Sequence, residues 1–320
     1  MRLAVMLEPQ FGLTYADQLA AAREAERLGF DALFRSDHYG ADAGADEPGS
    51  TDAWAALAGL ARETTTIGLG TLVTPATFRP AGVLAKTAAT VSDMAGVRSD
   101  GAPRLEVGLG TGWMESEHRA HGFAFGAWDE RFRRLEEHLQ VVHGLWDPGA
   151  SPFSFDGEFE QLQDAVFAPT PAPRPRIIVG GKGPRRTPAL AARHADELNV
   201  IMLSPEDCAA RRATLDARAD ESGRPAPSLS LMTPALVGRT HAEVRDRAGR
   251  LLSWMGSSRS VDDYLERLAE IGITGTPDEA VARLRAYAEA GVERVMLQHL
   301  LHADHDHLAV LAQDVAPALR

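Results

Sequence analysis

Residues 104–122 read RLEVGLGTGWMESEHRAHG, and this stretch decides the fold. Leu105, Val107 and Leu109 mark a short apolar strand. It runs into three alternating glycines, Gly108, Gly110 and Gly112, and the chain then turns helical through Glu115, Glu117 and His118. A strand that ends in glycines and feeds a helix brings bare backbone N–H groups to a helix N-terminus, where the dipole favours an anion or an electron-rich ring system. The stretch therefore reads as a cofactor site, with the rest of the chain as its scaffold.

The same unit recurs on both sides. Upstream, residues 3–7 are an apolar strand of the buried kind. Thr14 caps a helix whose Leu19, Ala22, Ala25 and Leu28 recur at helical spacing, and Gly29 closes it. Residues 31–35 form strand two, which ends in Ser36, Asp37 and His38. Thr51 opens the second helix, residues 66–73 (TIGLGTLV) are strand three, and a third helix covers 80–94. Pro80 sits in its first turn, where the missing N–H costs nothing. Downstream, a helix over 129–146 precedes FSFDGEFEQL (153–162), two alternating runs around Asp156-Gly157 that predict a hairpin. A proline-dense segment, 168–175, leads to strand five at 176–179, which ends in Gly180, Gly181 and Gly183. Strands six to eight fall at 197–202, 229–237 and 293–297, and helices at 188–195, 206–221, 277–290 and 306–319. A helical insertion at 241–271 precedes the last unit.

Eight apolar strands, each followed by a helix, favour an α/β fold of the closed (β/α)8 kind over an open doubly wound sheet. This is a TIM barrel forming one domain over residues 1–320, with insertions after strands four and seven. In such barrels chemistry sits where strands end and βα-loops begin. The polar residues there are Glu8, Asp37, His38, Thr71, Thr74, Thr111, Lys182, Asn199, Thr233, Gln298 and His299, whereas the opposite ends look ordinary.

A net charge of −12 argues against nucleic-acid or anionic-membrane partners, which select basic surfaces. The single cysteine, Cys208, excludes a disulfide framework. The N-terminal apolar run is too short and too soon acidic for a signal peptide. The expectation is a soluble cytoplasmic protein.

The GLGTG run superficially echoes a dinucleotide fingerprint, but the spacing is wrong, the strand is the fourth, and no ribose-binding acid follows. These glycines could simply let strand four pack and turn; a second glycine-ended strand weighs against packing alone. In IIVGGKGPRR (177–186), Lys182, Arg185 and Arg186 crowd a helix start, where cations oppose the dipole. Either an anion binds there or the turn is simply solvated. His38 could donate a proton or a hydrogen bond to a bound ring, with Asp37 orienting it or capping a loop. His302, His305 and His307 of HADHDH lack metal-ligand spacing and a cysteine partner, so they read as a solvated helix start, with no metal. Glu136 and Glu137 read as an exposed helix face.

Several of these segments keep the order and spacing of the luciferase-like monooxygenase superfamily. They are FRSDHY (34–39), TDAWAALAGLARET (51–64), IGLGTLVTPATFR (67–79), the 105–122 stretch, ERFRRLEEHLQVVHGLW (130–146), residues 177–200, and residues 274–297. Within that superfamily the chain resembles the deazaflavin (coenzyme F420)-dependent oxidoreductases.

The resemblance implies a cofactor at the C-terminal mouth of the barrel, supported by a non-prolyl cis peptide at Leu72-Val73 between Thr71 and Thr74. It implies contact of His38, with Asp37, near the reacting face, Gly110, Thr111 and Gly112 along the ring, and Gly180, Gly181 and Lys182 around the phosphate. The reaction it implies is hydride transfer between F420 and an alkene, imine or carbonyl. His38 is the first candidate proton donor, Glu8 and His299 stand further back, and Trp113, Gln298 and His299 line the pocket of a small-molecule substrate, with core packing as the other reading of Trp113. A homodimer is also implied.

Two departures stand out. Trp113 replaces the glutamate that follows T-G in the glucose-6-phosphate dehydrogenase branch, and the 97–103 entry to strand four is long. The alternatives are an FMN-dependent monooxygenase of the same fold and a non-catalytic deazaflavin-binding protein. A glycosidase barrel is remote, because no carboxylate pair stands at the strand ends.

Overall fold

The computed structural model describes residues 1–40 and 49–319. Its barrel strands are β1 (Arg2–Leu7), β2 (Ala32–Arg35), β3 (Gly68–Thr71), β4 (Leu105–Gly110), β5 (Arg176–Gly180), β6 (Glu197–Ile201), β7 (Ser228–Val237) and β8 (Arg294–Gln298). Each is parallel to its sequence neighbour, and β1 lies between β2 and β8, with Val5 opposite both Leu33 and Leu297. The barrel is therefore closed.

Because side chains alternate along a strand, each strand serves two cores. Ala4, Met6, Ala32, Phe34, Ile178, Met232 and Met296 point inward and fill the barrel. Leu3, Val5, Leu7, Leu33, Val295 and Leu297, offset by one, pack outward under the helices. This is why the strands read as unbroken apolar runs.

The helices are α1 (Tyr15–Leu28), α2 (Ala53–Glu63), α3 (Ala81–Ala95), α4 (Glu115–His121), α5 (Trp128–Trp146), α6 (Arg186–His194), α7 (Pro205–Ser222), α8 (His241–Trp254), α9 (Val261–Ile271), α10 (Pro277–Glu289) and α11 (His305–Val310). Local chemistry sets their ends. Thr14 and Asp17 form a reciprocal capping box on α1, which Gly29 ends at φ 79°. Asp52, rather than Thr51, caps α2 by accepting the Ala55 N–H at 2.8 Å.

The insertions fall where expected. After β4, Phe153–Asp156 pairs antiparallel with Gln161–Ala165. Glu137 is not part of a free surface: it accepts the N–H groups of Glu158, Phe159 and Glu160 at 2.8, 2.8 and 3.0 Å and ties the hairpin to α5. After β7, α8 and α9 share an apolar cluster (Val244, Ala248, Leu251, Leu268) and return through a short strand, Ile273–Gly275, that pairs with the C-terminal end of β7. The final helix is regular only to Val310 and continues through wider and tighter turns to Leu319.

The N-terminal end of the barrel is not ordinary. Arg294, fully buried, reaches Glu106 at 2.6 Å, Glu197 at 2.7 Å and Asp31 at 3.1 Å, and lies over the Phe34 ring. Burial would push the Glu106 carboxyl up, but Arg294 outweighs it and holds the group at about 2. The long 97–103 segment joins this end, with Arg98 bonded to Asp31 at 3.0 Å. Inward-facing charges separated along the chain give no periodic signal, so the cluster escapes a reading by pattern. Cys208 is buried, which pushes its thiol up to about 12 and keeps it protonated. Among the described residues, no helix is long and apolar enough to cross a membrane.

Candidate active site

The site begins with a break in β3. After Thr71 the Leu72–Val73 peptide is cis, and pairing resumes at Thr74–Pro75 against the end of β4. The glycines of β4 and β5 make room for this bulge. A Cβ on Gly110 would stand 2.6 Å from a Val73 methyl, one on Gly180 2.7 Å from the other, and one on Gly108 2.1 Å from the Thr71 carbonyl oxygen. Glycine is therefore required at Gly110 and Gly180 first of all to seat Val73. Thr71 supports the same bulge: its hydroxyl donates to the Gly108 carbonyl at 3.0 Å and accepts the Gly108 N–H at 3.2 Å.

Beyond the bulge the chain is tied to β2. Thr74 donates to Asp37 Oδ2 at 2.8 Å and accepts the Trp54 indole N–H at 3.1 Å. Arg79 bridges Asp37 at 2.6 Å and Asp52 at 2.7 Å. Burial pushes the Asp37 carboxyl up against the pull of Arg79. Asp37 is thus spent on Thr74 and Arg79 and does not orient His38.

That role falls to Glu117 on α4, which the sequence reading places on the helix without a function. Glu117 Oε2 lies 3.0 Å from His38 Nδ1, and Oε1 accepts the N–H groups of Tyr39 and Gly40. The Glu117 side chain is 1% exposed and that of His38 15%. Burial disfavours the His38 imidazolium, but the bond and charge of Glu117, with Glu8 and Asp37 behind, outweigh it and raise the pKa. Burial likewise opposes the Glu117 anion, and His38 with the two backbone N–H groups overrides it, so that carboxyl is lowered. The glutamate stands five residues past Gly112, in the first turn of α4, a spacing that could have marked it.

On the opposite wall, alternation decides which residues reach the mouth. Glu8 and Gln298 continue the inward-facing rows of β1 and β8 and meet there, Gln298 donating to Glu8 at 2.6 Å. Gln10 donates to the other oxygen at 2.8 Å and accepts from Ser36 at 2.6 Å. His299, one residue on, faces outward and leaves the predicted substrate pocket. It is buried with its Nδ1 3.2 Å from Nδ1 of His307, whose Nε2 accepts the Val237 N–H at 3.1 Å. His307 is therefore no solvated helix start. Burial lowers both rings, His299 to about 4.

Trp113 is 62% exposed, so it is not core packing; its ring stands edge-on to His38 at 5.9 Å. Gly112 takes φ 76° at the turn into α4, and the Thr111 hydroxyl donates to the adjacent Gly112 carbonyl. Asn199 and Thr233 are committed to Ser230 and the Ile271 carbonyl. At the start of α6, Arg186 pairs with Asp129, and the helix has neither a side-chain cap nor an acid in its first turn. Among the described residues, Lys182 and Arg185 have no acidic partner, and Gly181 beside them is tied to the Asn199 carbonyl at 3.1 Å. An uncapped helix start with two unpaired cations is a donor set suited to a phosphate.

Comparison with known proteins agrees with this geometry. The family model described as luciferase-like monooxygenase matches residues 1–294. An F420-dependent glucose-6-phosphate dehydrogenase of Nakamurella multipartita is 29% identical over 97% of this chain and 94% of its own length. An FMNH(2)-dependent dimethylsulfone monooxygenase of Pseudomonas putida is 31% identical, but over 55% of this chain and 46% of its own. Among solved structures, an F420-dependent secondary alcohol dehydrogenase superposes with TM-score 0.82 at 20% identity, covering 100% of this chain and 99% of that one. A monooxygenase from Streptomyces bottropensis gives TM-score 0.82 at 21% identity, covering 100% of both chains. At those identities the superpositions establish the barrel fold.

Proposed function

The chain belongs to the luciferase-like monooxygenase family, and on that premise we propose that it is an F420-dependent oxidoreductase that reduces an unsaturated small molecule. The observation that carries this reading is the end-to-end match to an F420-dependent dehydrogenase, against half-length matches to FMN monooxygenases. The residues present fit the cofactor: Lys182, Arg185 and the uncapped start of α6 would hold its phosphate, and the Leu72–Val73 bulge would support its ring.

When bound, F420 supplies a hydride from C5 of its reduced deazaflavin. The protein supplies position and a proton. His38 Nε2 is the proton donor, at the end of β2 beside the bulge. The glucose-6-phosphate of the curated relatives is not carried over, because an exposed indole, Trp113, stands against His38 and presents an apolar edge to the substrate. Gln298, braced on Glu8, forms the facing polar wall.

Parallel titrations with F420 and FMN test the cofactor, followed by a spectral screen for oxidation of reduced F420 with alkenes, imines and carbonyls. F420 should bind and turn over without oxygen. Tighter binding of FMN with oxygen-dependent turnover would replace this reading with the monooxygenase one. F420 binding with no turnover across the panel would leave a carrier.

A further inference from the structure

The geometry points to Glu117 as the positioning residue that makes His38 a proton donor, acting through the imidazole and touching neither cofactor nor substrate. This rests on the F420 reading only for the reaction; the dyad itself is a property of the chain.

The argument starts from donors and acceptors. An ionised carboxylate only accepts hydrogen bonds, and Glu117, almost fully buried, is offered three N–H groups: His38 Nδ1, Tyr39 N and Gly40 N. A carboxylate so surrounded stays ionised. Nδ1 of His38 must then carry its hydrogen in both states of the ring, which leaves Nε2 to gain and lose a proton. Among the described residues Nε2 has no hydrogen-bond partner. The two backbone bonds fix the loop that carries the ring, so one side chain sets tautomer, orientation and charge together.

The surroundings favour the imidazolium. The acids that act on His38 are Glu117 from α4, Glu8 from beyond β1, and Asp37 from its own strand end, the last already matched by Arg79. Trp113 contributes a neutral ring. In the reducing direction the Nε2 proton passes to the substrate atom left electron-rich by hydride addition. The N–H bond breaks, its electron pair remains on Nε2, and the neutral Nδ1–H ring takes its next proton from water.

The test is Glu117→Gln, which keeps the volume and one acceptor but removes the charge and turns an amide N–H₂ toward the loop donors. The first readout needs no cofactor: histidine 15N spectra of the free enzyme across pH, with His38 assigned by its loss in His38→Gln. Wild-type His38 should hold its hydrogen on Nδ1 and titrate above the ordinary histidine range, and in Glu117→Gln it should titrate lower by about one pH unit. The second readout is the pH profile of F420-dependent reduction, whose high-pH limb should move down by a similar amount, with F420 affinity unchanged. Glu117→Asp, which retains the charge, should recover most of the shift. An unchanged His38 titration, or a neutral ring with its hydrogen on Nε2, would overturn the assignment. A shifted titration in an enzyme that binds no F420 would retain the dyad and remove the F420 reading instead.

Discussion

The two ends of the barrel are built from the same materials and finished differently. At the N-terminal end Arg294 is saturated: two glutamates and an aspartate surround it, and the Phe34 ring covers it. At the C-terminal end, buried charges are also paired, Asp37 with Arg79 and Glu117 with His38, but the pairing is one-sided. Among the described residues Nε2 of His38 has no hydrogen-bond partner, and Lys182 and Arg185 lack acidic partners. A floor with all its charges matched contributes shape, whereas a mouth with charges held from one side keeps donors available for the chemistry proposed above. The comparison therefore separates stability from activity residue by residue.

Arg294→Met should break the floor and produce the largest effect. It leaves the buried carboxylates of Glu106 and Glu197 with only the longer contacts of Arg98 and Arg176, 3.5 Å each, at a cost of about 3–5 kcal/mol. Thermal unfolding should show a fall of about 4–7 °C, with F420 affinity per folded molecule unchanged. His38→Gln should do the reverse. Turnover should fall about 100-fold or more, while the melting temperature moves by less than about 2 °C, because glutamine still offers Glu117 an N–H donor. Equal loss of stability in the two variants would erase the distinction.

The smallest effect concerns pH and the outward-facing histidines. His299 titrates near 4 in the folded chain, below its value of about 6.5 when unfolded, so the unfolded state binds more protons between those values. Its contribution is present above about pH 6.5 and is lost as the pH falls toward 4, on the order of 2 kcal/mol at pH 5. His38 has the opposite sign: its raised pKa stabilises below the unfolded value, and that contribution disappears as the pH rises through the folded one. Melting curves at pH 7.5 and 5 should therefore show acid weakening that His299→Gln reduces and His38→Gln does not.

The barrel was legible because its signals are local and repeated: apolar runs, caps such as Thr14 with Asp17, and glycines that stop helices. His38 was legible because it ends a strand. Glu117, in contrast, acts on a residue 79 positions away in sequence, and Arg294 on residues up to 263 away. Neither distance leaves a periodic trace. His299 was misplaced by one residue of alternation, since Gln298 beside it faces the mouth. The glycines of β4 and β5 read as a cofactor cradle, and the contact the structure shows for them is different: they yield to the methyls of Val73.

Arg294 carries one more consequence, for the order of assembly. Glu106 and Glu197 belong to the fourth and sixth strands, and the cation that satisfies both arrives only with the eighth. A nascent chain paused after seven strands holds two inward-facing acids without their shared counter-ion, and its first and seventh strands present unpaired edges. The arginine is thus placed as a latch: the strand that closes the cylinder between the first and the seventh also carries the cation that both acids share.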